Sequence, residues 1–198
     1  MMGKIVIACT GGIGSGKSAI VGAFAALGIP SYDCDSRTKD LYRTDTALAQ
    51  RIAALLGDDV LDQEGCLDLK QMAARVFGND RLLAALEAIV HPAVGEDFRR
   101  WASAQQSDIV IMESAILQHK PFFDNFADYT ITVSAPEEVR IQRVMLRDGL
   151  TREQVLARLA CQWTDARREE RADMVLTTDD CSPVLPRIIE LINTLRTK

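Results

Sequence analysis

Gly11, Gly16, Lys17 and Ser18 fit the pattern G-x-x-x-x-G-K-[ST] inside Thr10-Gly11-Gly12-Ile13-Gly14-Ser15-Gly16-Lys17-Ser18. The chemistry of that pattern is capture of phosphate. Glycines let the backbone take left-handed conformations and come close to a ligand. Successive N–H groups then converge into a nest for an anion. A helix that starts at the end of the loop adds the positive end of its dipole. Lys17 reaches the outer phosphates, and the Ser18 hydroxyl can ligate Mg²⁺.

Carboxylates at strand ends are the next candidates. Residues 29–33 read as a short strand ending in Asp33-Cys34-Asp35. Ligands of open parallel sheets sit outside the carboxyl ends of the strands. Asp33 therefore has three readings: a general base for a hydroxyl acceptor, a magnesium-shell carboxylate, or a turn and cap residue. Asp35 is expected to cap the helix from Ser36. Residues 108–113, Asp-Ile-Val-Ile-Met-Glu, resemble a Walker B strand. There Glu113 would hold Mg²⁺ through water, because magnesium keeps much of its hydration shell. The alternative is an ordinary acid at the end of a strand.

Basic residues are unevenly spread. Eight of the seventeen arginines lie between Arg140 and Arg171. Arg140, Arg143 and Arg147 recur at i, i+3 and i+7 on one helix face, while Ile141, Val144 and Met145 take another. Asp148-Gly149 breaks that helix, and Thr151-Arg152-Glu153-Gln154 starts the next. An arginine-bearing helical hairpin suits a lid over a phosphoryl-transfer site. It equally suits a solvated surface laced with Glu–Arg pairs.

These residues need elements to position them. Residues 4–9 form an apolar, β-branched run, as expected of a buried parallel strand. Ile20, Phe24 and Leu27 recur at helical spacing after the loop, and Gly28 and Pro30 end that helix. Residues 46–106 are mostly helical. Leu48, Ile52, Leu55 and Leu56 make one apolar face, and Met72, Val76 and Phe77 a second. Leu82, Leu83, Leu86, Ile89 and Val90 make a third, interrupted at His91-Pro92 and extended by Phe98 and Trp101. Gly57-Asp58-Asp59 and Asp62-Gln63-Glu64-Gly65 read as solvated turns. Strands are expected over residues 128–134 and 173–177, and an amphipathic helix over residues 183–195.

Composition narrows the class. A chain of 198 residues with 47% hydrophobic and 26% charged content is ordinary for one α/β domain. No apolar stretch is long enough to span a membrane, and the N-terminal run is too short for a signal peptide. A net charge of −5 argues against broad nucleic-acid binding. The five cysteines are scattered, with no C-x-x-C pair. They indicate neither zinc nor a disulfide framework, and a reducing cytoplasm is the simplest compartment.

Taken together, several segments resemble the dephospho-coenzyme A kinases. They are the loop at residues 10–18, Asp33-Cys34-Asp35, His91-Pro92, Arg147-Asp148-Gly149-Leu150-Thr151, Gln162 and Ala172-Asp173-Met174-Val175. The resemblance runs over nearly the whole chain. It implies a P-loop kinase fold: α/β, with a five-stranded parallel sheet flanked by helices. The implied single domain has its core at about residues 1–45, 107–138 and 172–198. A helical CoA-binding region is implied at about 46–106 and a helical lid at about 139–171. The implied reaction phosphorylates the ribose 3′-hydroxyl of dephospho-CoA with Mg-ATP, the last step of CoA synthesis. The implied ATP site is Gly11, Gly12, Ile13, Gly14, Ser15, Gly16, Lys17 and Ser18, with Arg143. Asp33, Lys17 and Arg147 would be catalytic. Asp33, Asp35 and His91 would meet the substrate, and Ser18 and Glu113 the metal. The chain departs from the family's common pattern at Ser114-Ala115-Ile116-Leu117-Gln118, and again at Thr178-Asp179-Asp180.

Two other functions share the loop. A nucleotide kinase would have it, but the Asp-x-Asp and His-Pro combination speaks against that reading. A guanine-nucleotide switch would have it too, but the chain contains no Asn-Lys-x-Asp. Asp62-Gln63-Glu64-Gly65 imitates a switch motif, with no clear strand before it.

Overall fold

The structure is a computed structural model that describes residues 3–115, 126–179 and 181–197. Ile116, Leu117, Gln118 and Asp180, singled out above, lie outside the described residues. The apolar β-branched runs form β1 (Ile5–Gly11), β2 (Ser31–Asp33), β3 (Ile109–Glu113), β4 (Tyr129–Ser134) and β5 (Met174–Thr177). They make one parallel sheet in the order β2-β3-β1-β4-β5. β1 is thus central. It pairs Cys9 with Glu113 on one side and Gly11 with Val133 on the other. A loop leaving β1 therefore emerges between the ends of β3 and β4.

The helices are α1 (Lys17–Ala26), α2 (Cys34–Thr44), α3 (Thr46–Leu56), α4 (Leu69–Val76) and α5 (Asp80–Ala104), then α6 (Glu137–Asp148), α7 (Arg152–Ala160), α8 (Asp165–Glu169) and α9 (Val184–Arg196). A parallel sheet is buried on both faces, and its strands read as continuous apolar runs for that reason. Ile7, Ile111, Ile131 and Leu176 of the sheet share a core with Ile20 and Phe24 of α1 and with Ile188 and Leu191 of α9. α1 closes as expected at Gly28. The Gly28 N–H donates to the Ala25 carbonyl and the Ile29 N–H to that of Phe24, both inside the last turn.

The chain divides into two compact units, one made of Met1–Tyr32 with Gln105–Lys198, the other of Asp33–Ala104. In the second unit α2, α3 and α5 pack on one another. Arg37 of α2 donates to both carboxylate oxygens of Asp97 on α5, at 2.7–3.0 Å.

Several expectations shift. β1 runs two residues further than residue 9, into Gly11, and β2 starts at Ser31 rather than at residue 29. α5 is not interrupted at His91-Pro92 but runs unbroken through Pro92 for 25 residues. A proline inside a helix costs roughly 3 kcal/mol. Leu86, Val90, Val94, Phe98 and Ala102, four apart along one face, are all buried. Each large one stabilises by about 1.5–3 kcal/mol, so the stripe outweighs the proline. Phe77 does not join Met72 in an apolar face. It follows α4 in extended conformation and is 90% exposed.

Phe24 is fully buried where α1 meets the sheet. Phe24→Ala is expected to lower stability by about 3–5 kcal/mol. Urea unfolding followed by circular dichroism measures it, and a loss below about 1 kcal/mol would contradict this packing.

Candidate active site

The loop after β1 keeps its shape with few bonds of its own. The Ser15 N–H donates to the Gly12 carbonyl at 3.1 Å. Gly14 and Gly16 have φ of +77° and +83°, a region open to glycine and strained for other residues. Neither has room for a side chain. A Cβ on Gly14 would lie 2.5 Å from the Arg140 carbonyl oxygen, and one on Gly16 2.8 Å from the Thr178 hydroxyl. Gly16 is the N-cap of α1, and no side chain caps that end. The Ala19 N–H donates to the Gly16 carbonyl at 3.0 Å, and the Lys17 and Ser18 N–H groups before it open towards the loop. The Ser15 hydroxyl is buried with no partner among the described residues.

Lys17 opens α1, and its ammonium donates to Glu113 at the end of β3. Both side chains are largely buried, at 17% and 13% exposure. The register that pairs Cys9 with Glu113 sets this meeting. Cys9 lies beneath the pair. Burial, the largest cause, pushes its thiol up to about 12, with Lys17 pulling it down and Glu113 adding to the rise.

The arginine helix meets the loop, though not as a solvated face. Arg140 is buried, at 5% exposure. Its Nε donates to the Ile13 carbonyl at 3.0 Å, and its Nη1 pairs with Asp165. Arg168, 1% exposed, reaches the other oxygen of Asp165 at 3.2 Å and donates to the Trp163 carbonyl at 2.5 Å. Burial lowers the Arg168 pKa from the usual arginine value, and Asp165 opposes that shift. Gln162 accepts the Ile13 N–H at 2.9 Å. Arg143 donates to the Thr178 hydroxyl at 2.7 Å and to the Thr178 carbonyl at 2.9 Å. The Thr178 hydroxyl in turn donates to the Ser15 carbonyl at 2.7 Å.

The expected site residues thus divide. Lys17 and Glu113 are together, and Arg143 reaches the loop through Thr178. Arg147 is exposed and turns to Asp148, whose carboxyl its hydrogen bond holds below the usual range. Asp33, Asp35 and His91 belong to the second unit, and His91 lies half-buried in α5. The cap expected of Asp35 is corrected. Asp33 is the N-cap of α2, its Oδ1 accepting from the N–H groups of Asp35 and Ser36 at 3.0 and 3.3 Å. Its Oδ2 accepts from the Ser36 hydroxyl at 2.5 Å. Asp35 sits in the first turn, because the extended conformation that an N-cap requires falls one residue after Tyr32. Asp165, Arg168 and Thr178 were not expected as site residues. Thr178 stood out in the sequence only as a departure from a pattern.

A central strand, a glycine loop and a lysine opening the next helix, on a parallel sheet ordered 2-3-1-4-5, define a P-loop kinase fold. Shikimate kinase from Acinetobacter baumannii shares it, with a TM-score of 0.53 at 17% identity over 98% of this chain and 96% of that one. A dephospho-CoA kinase family model matches residues 5–183. A dephospho-CoA kinase of Porphyromonas gingivalis is 37% identical over 195 residues, 98% of this chain and 96% of its own length. A crystal structure from Thermus thermophilus is 31% identical, covers 97% of each chain and gives a TM-score of 0.81. The chain belongs to the dephospho-CoA kinase family. It is a transferase that phosphorylates the ribose 3′-hydroxyl of dephospho-CoA with ATP, in the last step of CoA synthesis.

The Cys9 thiol tests the dry floor of this site. With its pKa near 12, only about one thiol in several thousand is ionised at pH 8.5. Iodoacetamide is expected to alkylate the exposed Cys161 and Cys181 in the native protein and to leave Cys9 unmodified until denaturant is added. Peptide mass mapping reads the pattern, and prompt native alkylation of Cys9 would contradict its burial.

Proposed function

We propose that residues 11–18 hold the phosphates of ATP, and that Lys17 leaves Glu113 for the outer phosphates when nucleotide binds. The observation that carries this reading is the Lys17–Glu113 pair at the end of a glycine loop whose following helix is uncapped. A lysine held by a carboxylate is charged and close at hand. A nucleotide phosphate offers it more negative charge than Glu113 does.

A hydroxyl on Ser18 and a carboxylate on Glu113 fit a cation that keeps most of its water and takes its other ligands from phosphate. Among the described residues no group of three or more acids, histidines or cysteines makes a denser metal cage. Ser18 and Glu113 would then hold Mg²⁺, which supplies charge neutralisation for the phosphates when bound. We assign residues 46–106 to binding dephospho-CoA, with His91 among them, and residues 139–171 to the lid. Arg147 is the lid arginine available to the transferring phosphoryl group, and Arg143 supports the ATP loop. Among the described residues no helix is long and apolar enough to cross a membrane, and no disulfide joins the cysteines. We place the chain in the cytoplasm on the strength of the family it belongs to.

The ribose hydroxyl needs a base. Asp33 is the first reading: a carboxylate that accepts the proton as the bond to phosphorus forms. Asp35, in the first turn of α2, is the second, raised because Asp33 is engaged as the cap of that helix. Both oxygens of Asp33 already accept hydrogen bonds from the first turn of α2. A carboxylate serving as a cap has fewer lone pairs left to take a proton.

Two experiments separate these roles. Lys17→Ala is expected to remove nearly all dephospho-CoA-dependent ADP formation while the circular dichroism spectrum is kept, since it deletes charge beside the developing phosphate charge. Normal turnover in that folded variant would sink the loop assignment. Asp33→Asn keeps an adequate cap and removes the basicity. If Asp33 is the base, kcat falls about 10²–10⁴-fold with ATP affinity and stability little changed. If Asp35 is the base, Asp35→Asn shows that fall and Asp33→Asn does not. A magnesium role for Asp33 shows instead as activity recovered at high Mg²⁺. Near-normal kcat in both variants would remove both aspartates from the chemistry.

A further inference from the structure

In a trans peptide the carbonyl and the following N–H point in opposite directions. No described peptide bond in the chain is cis. Whatever holds a loop carbonyl therefore decides where the next N–H faces. Two loop carbonyls are held from outside the loop. The Ile13 carbonyl accepts from Arg140 Nε at 3.0 Å, and the Ser15 carbonyl accepts from the Thr178 hydroxyl at 2.7 Å. The next N–H groups in the chain belong to Gly14 and Gly16, the two loop glycines with positive φ.

We infer that Arg140 and Thr178 are positioning residues for phosphoryl transfer: they draw the Ile13 and Ser15 carbonyls outward, so that the Gly14 and Gly16 N–H groups face the phosphates of ATP. The inference rests on the reading of residues 11–18 as the ATP loop. Without such anchors a glycine-rich loop can flip either peptide, replacing a donor at the anion with a carbonyl oxygen that repels it.

The anchors are themselves fixed. Arg140 is buried and paired with Asp165, and α6 carries it directly against the loop. Ile13 is held at three points. Its side chain packs on Ile141, Val144 and Val155, its N–H is taken by Gln162, and its carbonyl by Arg140. Thr178 is kept on β4 by its N–H, which donates to the Ser134 carbonyl at 2.9 Å. Arg143 occupies its hydroxyl as donor, so that the hydroxyl proton is directed to Ser15. Arg143 thus acts on the loop through Thr178.

The test uses the full ¹⁵N-labelled chain, with ADP as probe. In the wild type the amide resonances of both Gly14 and Gly16 are expected to move downfield on adding ADP. Arg140→Met should abolish the Gly14 response and spare Gly16, and Thr178→Val should do the reverse. Each variant should raise the KM for ATP about tenfold, the size of one hydrogen bond to a charged group, and leave the KM for dephospho-CoA unchanged. Thr178→Ser keeps the hydroxyl and should restore both the resonance response and the KM. Should Arg140→Met not fold, the Thr178→Val and Thr178→Ser pair still decides. Wild-type responses and ATP KM in folded Thr178→Val would overturn the inference, as would loss of both glycine responses together with no rescue by serine. If neither glycine amide responds to ADP in the wild type and Lys17→Ala still binds ATP, the loop reading itself fails and takes the inference with it.

Discussion

A phosphate loop, as proposed for residues 11–18, is a collection of converging donors. Backbone N–H groups that converge on one point repel one another, and a lysine beside them adds to the strain. The loop answers in two ways. Lys17 is neutralised by Glu113, which the pairing of β1 with β3 delivers to the same end of the sheet. The peptide units are tied within the loop by the Ser15–Gly12 bond and from outside by Arg140, Gln162 and Thr178. The central place of β1 is what allows this. A strand at the edge of the sheet would have a neighbour on one side only, whereas β1 gains Glu113 from β3 and the approach of Thr178 and α6 from the side of β4 and β5.

The arginines add a second layer to the same electrostatics. Arg140 and Arg168 both pair with Asp165, one on each carboxylate oxygen. Removing charge from water is costly, and a buried arginine persists only when hydrogen bonds and a counter-ion replace the solvent. Asp165 supplies the counter-ion and the Ile13 and Trp163 carbonyls supply acceptors. Both guanidinium groups lie against Gly12, where a Cβ would meet them. Trp163 carries the Arg167 guanidinium 3.9 Å from its ring centre, a cation–π contact at the start of α8. The basic hairpin is therefore divided by depth: Arg140 and Arg168 shape the loop from within, and Arg147, Arg152 and Arg158 pair with acids at the surface.

The sheet and the loop were legible because their signals are local. Residues 4–18 spell strand, turn and helix in order, and Glu113 ends an unbroken apolar run. What was not legible depends on tertiary placement. Arg140 and Arg147 look alike in the sequence, seven residues apart on one helix. Only packing makes the first 5% exposed and leaves the second at the surface. Asp97 gave no signal for the same reason, since a buried acid is recognised by its partner, and Arg37 lies 60 residues away. The cap reading of Asp33 holds and that of Asp35 does not, because both are equally good cap types and only the end of β2 decides between them. At Pro92 a true local rule was overridden by a buried stripe spaced four residues apart.

Ile13 shows why the loop and the arm of α6 to α8 behave as one mechanical piece. To part them, the Gln162 and Arg140 bonds must break, and Ile13 must leave the small core of Ile141, Val144 and Val155. Each bond contributes about 1 kcal/mol, and burying the side chain about 1.5–3 kcal/mol. The sum is a few kcal/mol, which holds the arm to the loop in most molecules at rest. Val155 and Gln162 lie beyond Gly149, where α6 ends in a left-handed residue, so the same contacts tie both arms of the hairpin to the loop. Across that turn Arg152 of α7 pairs with Glu138 of α6, and Arg158 of α7 with Asp148, which adds two further ties. Arg147 and Asp148 sit immediately before that point and Arg152 and Arg158 after it. The surface arginines thus sit on the same anchored piece as Arg140, and moving α7 relative to the loop costs the Val155 and Gln162 contacts.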